Sequence, residues 1–260
     1  MDAFFAPECE AYLRYLDFPG AGAPCVFLHG WLGSSTGWYA HVAARPPLAG
    51  GRILLVDLFG HGYSDQPLDF GYTVEDHAST LASFLDSAGL RECRLIGHHL
   101  GGCVAVAAAS MRPDLISALV LFHVPLEGQW RLGQRVVQQT EDEWVASGCG
   151  EFLELLGAHE DPAIFARVLG TAQLVAPVAL YRSAVSLAGT PTPTWREQLS
   201  SLAIPRTFIV GPEEAMTERT SELAGEGCEI CVVPDITDRP NFENPRGLAA
   251  AIAEALPDEG

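Results

Sequence analysis

No histidine follows His159 in this chain of 260 residues, although eight histidines stand at or before that position. Basic residues are scarce as well: 15 lysines and arginines face 33 aspartates and glutamates, which gives a formal net charge of −18. A surface this acidic excludes nucleic acid as a partner, because phosphates need basic side chains. It also argues against docking on anionic lipid.

Long apolar runs are missing too. No stretch reaches the 18 apolar residues that a transmembrane helix needs, and the first eight residues lack the basic segment of a secretory signal. Seven cysteines are an odd number in a chain too long to need disulfide bonds. We therefore expect a cytoplasmic protein with no membrane partner. The Cys228 and Cys231 pair has redox or zinc spacing, but no second pair accompanies it, and we interpret it as structural.

Apolar runs alternate with helical patterns along most of the chain. This alternation predicts an α/β protein with a mostly parallel central sheet and crossover helices. The candidate strands are Ala11–Phe18, Cys25–Leu28, Arg52–Asp57, Cys93–Ile96, Ala118–Phe122, Arg206–Val210 and Cys228–Val233. The candidate helices are Thr73–Leu90, Gly101–Met111 and Gly247–Leu256.

One region breaks the alternation. It contains three helix-like pieces, Arg131–Ala146, Glu151–His159 and Ala163–Ala188. We predict that residues 129–201 form a helical cap insertion over the carboxyl edge of the sheet, and that residues 1–128 and 202–260 form the core. The alternative is a set of ordinary crossover helices.

Three of the predicted strands are each followed by a glycine-rich loop: His29-Gly-Trp-Leu-Gly33, Gly60-His-Gly62 and Gly97-His-His-Leu-Gly101. In this order and at these intervals, the loops resemble those of the α/β-hydrolase superfamily, over nearly the whole length of the chain. The third loop stands where that superfamily has its strand–turn–helix nucleophile elbow, G-x-S-x-G. The resemblance implies the α/β-hydrolase fold with a helical cap.

Two positions depart from the superfamily pattern. The elbow residue is His99 rather than serine, cysteine or aspartate. The segment after the last strand, where the superfamily has its triad histidine, reads Pro234-Asp-Ile-Thr-Asp-Arg-Pro-Asn-Phe-Glu-Asn-Pro245. Counting back from Glu243 places Asp238 on the histidine position. The resemblance therefore implies a His99–Asp238 dyad in which the acid would fix the imidazole tautomer and leave the other ring nitrogen free to take a proton.

A third acidic position follows Arg206–Val210. Glu214 fits the superfamily offset best and would support the dyad, with Glu213 as its rival and Glu127 as another orienting acid. Each of these could equally be a solvated acid, and the sequence leaves their roles open.

The remaining site predictions concern the loops. By position, the backbone amides of Trp31 and Leu100 would form an oxyanion hole. The predicted substrate-pocket residues are His29, Gly30, His98 and His123. A metal site from His98, His99 and Asp238 is disfavoured, because adjacent histidines diverge on a sharp turn. We expect no metal and no cofactor.

Three functions fit these residues. In a lyase, His99 would remove a proton α to a carbonyl, and a β leaving group would depart without a covalent intermediate. Within the superfamily this resembles the enzymes of tetronate polyketide pathways that eliminate acetate, and it implies an apolar, polyketide-like substrate. In a hydrolase, the same dyad would activate water on an ester or lactone. A degenerate hydrolase that only binds a ligand is the third possibility. The sequence does not determine the oligomeric state.

Overall fold

The computed structural model describes residues 1–128, 130–158 and 161–256. Within these ranges, one sheet contains eight strands in the order β1-β2-β4-β3-β5-β6-β7-β8. The strands are β1 (Asp2–Ala6), β2 (Ala11–Phe18), β3 (Ala21–Leu28), β4 (Gly51–Asp57), β5 (Cys93–His98), β6 (Ile116–Phe122), β7 (Arg206–Val210) and β8 (Glu229–Val232). From β4 to β8 in this order, each strand pairs in parallel with the next. Strand β1 pairs antiparallel with β2, and β2 pairs antiparallel with β4.

Helices connect the strands of the sheet. They are α1 (Ser35–Ala43), α2 (Val74–Ser87), α3 (Leu100–Met111), α4 (Arg131–Val136), α5 (Glu141–Glu143), α6 (Cys149–Gly157), α7 (Pro162–Ala172), α8 (Pro177–Ala188), α9 (Trp195–Ser201), α10 (Pro212–Ala215), α11 (Glu218–Gly225), α12 (Pro240–Glu243) and α13 (Pro245–Ala255). A π-helical turn, Trp144–Gly148, joins α5 to α6. Helices α1 and α13 contact each other, while α2, α3 and α9 form a second group.

Each strand predicted from the sequence is present in the structure. The strand predicted as Cys93–Ile96 continues through His98, which brings the end of β5 to the residue before His99. The sequence pattern does not indicate β1. This strand pairs with one neighbour at the edge of the sheet and exposes most of its side chains, so no alternating apolar pattern marks it.

The predicted helical insertion lies between β6 and β7. The helix predicted as Ala163–Ala188 is two helices, because Pro177 cannot continue α7 and begins α8 instead. Helix α9 contacts α3 of the core. The bounds 129–201 of the cap stay a prediction. None of the described helices is by itself long and apolar enough to cross a membrane; α7 and α8 pass that test only as a pair, bent by 106°.

The start of α3 approaches the end of β3 so closely that only glycine fits at position 101. A Cβ atom on Gly101 would lie 2.4 Å from the carbonyl oxygen of Leu28 and 2.7 Å from that of His29. Both obstacles are backbone atoms, so neither can rotate away. This approach fixes the elbow turn against the loop that begins at His29.

We expect the Gly101→Ala substitution to lower the free energy of unfolding by about 3 kcal/mol, because backbone atoms must move to admit the methyl group. Gly150→Ala is the matched control, since a Cβ at that helical position meets nothing within 4 Å. Urea unfolding of both variants measures the difference. A Gly101→Ala protein as stable as the Gly150→Ala protein would contradict the close approach.

Candidate active site

The nucleophile-elbow position is occupied by a histidine in a strained conformation. Strand β5 ends at His98, and His99 has φ 50° and ψ −111° before α3 begins at Leu100. A non-glycine residue in this region of φ costs about 1–3 kcal/mol and occurs where the surrounding structure imposes it. The turn holds the His99 side chain in the wall of a cavity, with only 6% of the residue exposed.

The neighbouring strand β6 is also followed by a histidine with a positive φ, His123. His98 is paired in register with Phe122, so β5 and β6 end side by side, and His123 also has a positive φ, of 51°. The rings of His99 and His123 stack with their centroids 5.8 Å apart and an interplanar angle of 23°. Two adjacent strand ends thus hold two imidazoles face to face.

Asp238 contacts the second of these histidines. Its Oδ1 lies 3.4 Å from Nδ1 of His123, and the two side chains are 68% and 39% exposed. Nδ1 of His99 is buried and has no hydrogen-bond partner among the described residues. The structure therefore differs from the predicted His99–Asp238 pairing. The loop that carries Asp238 does reach the end of β5, where His98 bonds its backbone, but the Asp238 side chain lies against His123 at the end of β6.

Burial controls the protonation of His99. The pKa of this imidazole is lowered well below its ordinary value, first by burial and then by the nearby charges of His123 and Arg239. The ring is therefore neutral near pH 7. A neutral imidazole can accept a hydrogen bond on one nitrogen and donate one from the other.

His98 links the elbow to the loop that carries Asp238. Its Nδ1 lies 3.0 Å from the hydroxyl of the buried Tyr39, and its ring hydrogen-bonds the backbone carbonyl of Asp238. Burial is the main cause that lowers the pKa of His98 well below its ordinary value. His98, predicted as a pocket residue, does line the cavity, and it also holds the Asp238 loop in place.

Buried histidines hold the loop that carries Trp31, one of the two predicted oxyanion donors. His29 accepts a hydrogen bond from the Leu58 amide on Nε2 and lies 2.9 Å from the Gly30 carbonyl through Nδ1. A ring nitrogen of His61 lies 3.0 Å from the carbonyl of Trp31. Because both ring nitrogens of His29 face backbone and the residue is fully buried, His29 holds the loop and does not line the cavity predicted to contain it.

A buried carboxylate holds the far end of the same loop. Asp57 accepts hydrogen bonds from the hydroxyl of Ser34, from the amide and hydroxyl of Thr36, and from the amide of Tyr63. The indole Nε1 of Trp31 donates to the carbonyl of Leu180 in α8. Within the described residues, the backbone amides of Trp31 and Leu100 donate no hydrogen bond. Both donors of the predicted oxyanion hole are thus available on a fixed backbone.

The predicted supporting acids contact arginines and not histidine. Glu214 lies 3.2 Å from Arg219, and Glu127 contacts both Arg219 and Arg196. Glu213 and Glu214 line a separate cavity behind Asp238. The prediction that Glu214 supports the dyad therefore differs from the structure, because Arg219 on the next helix holds this carboxylate.

The cavity at the elbow has an empty volume of about 460 Å³, including the part open to solvent. Among the predicted site residues, it is lined by Gly30, Trp31, His98, His99, His123 and Asp238. The lining residues that were not predicted from the sequence are Leu32, Trp38 and Arg239, together with Trp130, Leu132 and Leu156 of the cap. Arg239 follows Asp238 directly and could have been found, whereas no sequence motif marks the cap residues. Among the described residues, no group of three His, Cys, Asp or Glu side chains is arranged to hold a metal ion.

This chain has the α/β-hydrolase fold, which is defined here by a mostly parallel sheet, a strained strand–turn–helix elbow and helices inserted between β6 and β7. Residues 24–145 match the family model described as alpha/beta hydrolase fold. The esterase from Exiguobacterium antarcticum superposes with a TM-score of 0.77 at 19% identity, covering 97% of each chain. The predicted fold class is confirmed, and so is the resemblance to the superfamily.

Two curated relatives share part of the sequence. An sn-1-specific diacylglycerol lipase of Mus musculus is 37% identical over 99 residues, which cover 38% of this chain and 32% of the lipase. A haloalkane dehalogenase of Agrobacterium fabrum is 39% identical over 104 residues, which cover 40% of this chain and 33% of the dehalogenase. The chain matches about a third of the length of each relative. The narrower resemblance to acetate-eliminating enzymes stays a prediction.

Proposed function

We propose that this protein is a serine-independent hydrolase that cleaves an ester or lactone of a small apolar substrate. The observation that carries the proposal is the His123–Asp238 pair, which lies in the same cavity as the elbow histidine. A histidine with a carboxylate at Nδ1 has a fixed tautomer and a free Nε2, which is the arrangement of a general base. The relative with lipase activity acts on an ester, which agrees with this substrate class.

The proposed reaction needs no covalent intermediate. The substrate carbonyl oxygen would lie against the amides of Trp31 and Leu100, which stabilise the negative charge that develops there. His123 Nε2 takes a proton from water as the water oxygen attacks the carbonyl carbon. The tetrahedral intermediate then collapses, and the imidazolium returns the proton to the departing alkoxide. The products are a carboxylic acid and an alcohol, and Asp238 stabilises the imidazolium between the two steps.

His99 has a separate part in this proposal. Its neutral ring stacks on His123 and occupies the position from which superfamily members attack their substrates. It would hydrogen-bond the attacking water and hold it over the carbonyl carbon. A histidine with a lowered pKa suits this part, because it stays unprotonated and keeps an acceptor nitrogen near pH 7.

One observation favours proton abstraction from carbon as a second candidate. The His99 ring is almost completely buried and contacts the Trp130 ring, with centroids 4.6 Å apart, so its surroundings are apolar. In such surroundings His99 would remove a proton α to a carbonyl, the two amides would bind the enolate oxygen, and a β leaving group such as acetate would depart. This is the lyase reaction that the sequence predicts for an acetylated tetronate.

A single experiment separates the two reactions. The protein is incubated in ¹⁸O-water with a β-acetoxy carbonyl compound, and the products are analysed by mass spectrometry. Hydrolysis leaves an alcohol and places one heavy oxygen in the released acetate, whereas elimination leaves an alkene and unlabelled acetate. Labelled acetate together with the alcohol supports the hydrolase, and the alkene overturns it.

Substitutions test the proposed base. We expect His123→Gln and Asp238→Asn each to lower kcat/KM by about 10²-fold or more, because the first removes the proton acceptor and the second the carboxylate that orients it. Asp235→Asn is the matched control, since Asp235 lies on the same loop and outside the elbow cavity. Initial-rate measurements on p-nitrophenyl esters give the ratio. Wild-type rates in both His123→Gln and Asp238→Asn would exclude this pair as the base.

A further inference from the structure

A second cavity lies within the cap, next to the elbow cavity. It has an empty volume of about 740 Å³, including the part open to solvent. Leu132 and Leu156 line both cavities, so the two spaces adjoin along a common wall. A molecule with its reacting carbonyl at His99 would enter the cap by passing between these two leucine side chains.

The interior of the cap cavity is apolar. Val136 and Trp144 are fully buried in its wall, and Phe152 is nearly so. The indole N–H of Trp144 already donates to the carbonyl of Pro177, so the ring presents only its apolar surface. Charged side chains in the lining, Arg135 and Glu151, belong to exposed residues at the mouth. Apart from the half-buried Gln139, these walls are apolar and suit a hydrocarbon group.

The backbone at this cavity has an unusual form. Residues Trp144–Gly148 form a π-helical turn, in which the Cys149 amide donates to the carbonyl of Trp144 five residues earlier. Single π-turns inserted in α-helices are rare and occur frequently at functional sites. Both ends of this turn, Trp144 and Gly148, line the cavity. The extra residue of the turn thus helps to shape the space.

Aromatic rings connect this wall to the catalytic loop. The ring of Trp31 lies 6.3 Å from that of Trp144 and 5.5 Å from that of Phe152, as measured between centroids. Trp31 also supplies one of the two oxyanion amides. A group that occupies the cap cavity would contact the rings of Trp144 and Phe152, which in turn pack on Trp31.

From these observations we infer that the cap cavity binds the hydrocarbon chain of the substrate, so that this protein selects carbonyl compounds with a medium-length alkyl or acyl chain over short ones. The inference rests on the proposed function for its catalytic consequence, but the binding site itself does not depend on turnover. The occupant is a part of the same molecule whose carbonyl lies at His99, because the two cavities share their wall.

Two exposed apolar residues of the cap provide a matched pair of variants. Leu155 lines the cavity and is 58% exposed, while Val145 is 49% exposed and lies outside it. Leu155→Asp places a carboxylate at the cavity wall, and Val145→Asp adds the same charge elsewhere on the cap. Because both side chains are exposed, we expect both variants to fold with stabilities within about 0.5 kcal/mol of the wild type.

Binding is measured with 2-decanone and 2-butanone, ketones that carry a carbonyl and a long or short chain but no leaving group. Isothermal titration should show that the wild type and Val145→Asp bind 2-decanone at least tenfold more tightly than 2-butanone, and that Leu155→Asp loses most of this preference. Equal affinity of the wild type for the two ketones, or the same preference in both variants, would overturn the inference.

Turnover is then followed with p-nitrophenyl acetate, hexanoate and decanoate. We expect Leu155→Asp to raise KM for the decanoate ester about tenfold and to leave KM for the acetate ester nearly unchanged. If 2-decanone binds as expected but no ester is cleaved, the chain-binding site stands and the proposed hydrolysis fails. If the esters are cleaved with no dependence on chain length in any variant, the hydrolase stands and the chain-binding site fails.

Discussion

Replacing His99 with asparagine is expected to lower kcat/KM by about 10²- to 10⁴-fold, the usual contribution of a positioned proton-transfer or water-binding group. Asparagine tolerates the positive φ of this position better than other residues of similar size, so the elbow turn should keep its shape. The loss should fall mainly on kcat, because the ring that is removed acts on the attacking water rather than on the bound chain.

The same substitution should have little effect on stability. Nδ1 of His99 is buried without a partner, so the wild type already bears the cost of an unsatisfied polar atom. We expect the melting temperature of His99→Asn to lie within a few degrees of the wild-type value. His41→Asn is the control, because His41 hydrogen-bonds the carbonyl of Asn241 outside the elbow cavity. Wild-type kcat/KM in a folded His99→Asn protein would exclude His99 from either proposed reaction.

Acidification is expected to destabilise the protein steeply. Burial lowers the pKa of His29 to about 4 and that of His61 to about 3, and it lowers the pKa of His77, His98 and His99 well below the ordinary value of 6.5. Above pH 6.5 these imidazoles are neutral in both the folded and the unfolded state, so they do not change the free energy of unfolding. Below pH 6.5 the unfolded chain takes up protons that the folded chain cannot, so stability falls with pH.

The expected loss is large compared with the stability of a typical domain. Each such histidine lowers the free energy of unfolding by about 1 kcal/mol between pH 7.5 and pH 5.5. Together they amount to several kcal/mol, against typical totals of about 5–15 kcal/mol. Asp57 acts in the opposite direction at lower pH, because burial raises its pKa and the folded state then binds the proton first. Urea unfolding at the two pH values measures the net effect.

A variant can assign part of this pH dependence. The Nε2 of His77 is buried without a partner, and its ring lies among those of Phe70, Tyr72 and His61. His77→Phe should therefore reduce the stability difference between pH 7.5 and pH 5.5 by about 1 kcal/mol. Tyr72→Phe is the control, since burial raises the pKa of this phenol to about 12 and it does not titrate in the range. An unchanged difference in His77→Phe would contradict the assignment.

The fold could be predicted from the sequence because its signals are local. The apolar strands β3 to β7 and the three glycine-rich loops are each specified by residues within a few positions of one another. The absence of histidine after position 159 also showed directly that the usual triad base is missing. Strand β1 was not predicted, because an exposed edge strand has no periodic pattern. The break between α7 and α8 was not predicted either, although Pro177 begins α8 there.

The partners within the site could not be predicted in the same way. The sequence by itself determined that His99 stands at the elbow, because its glycine motif lies between a strand and a helix. That Asp238 stands at the position of the superfamily's triad histidine stays a prediction. Only the tertiary structure decided that Asp238 contacts His123 and that Arg219 holds Glu214. Those contacts join residues far apart in the sequence, and long-range contacts of this kind leave no trace in local spacing. The tertiary structure likewise brought Leu132 and Leu156 of the cap to the elbow cavity.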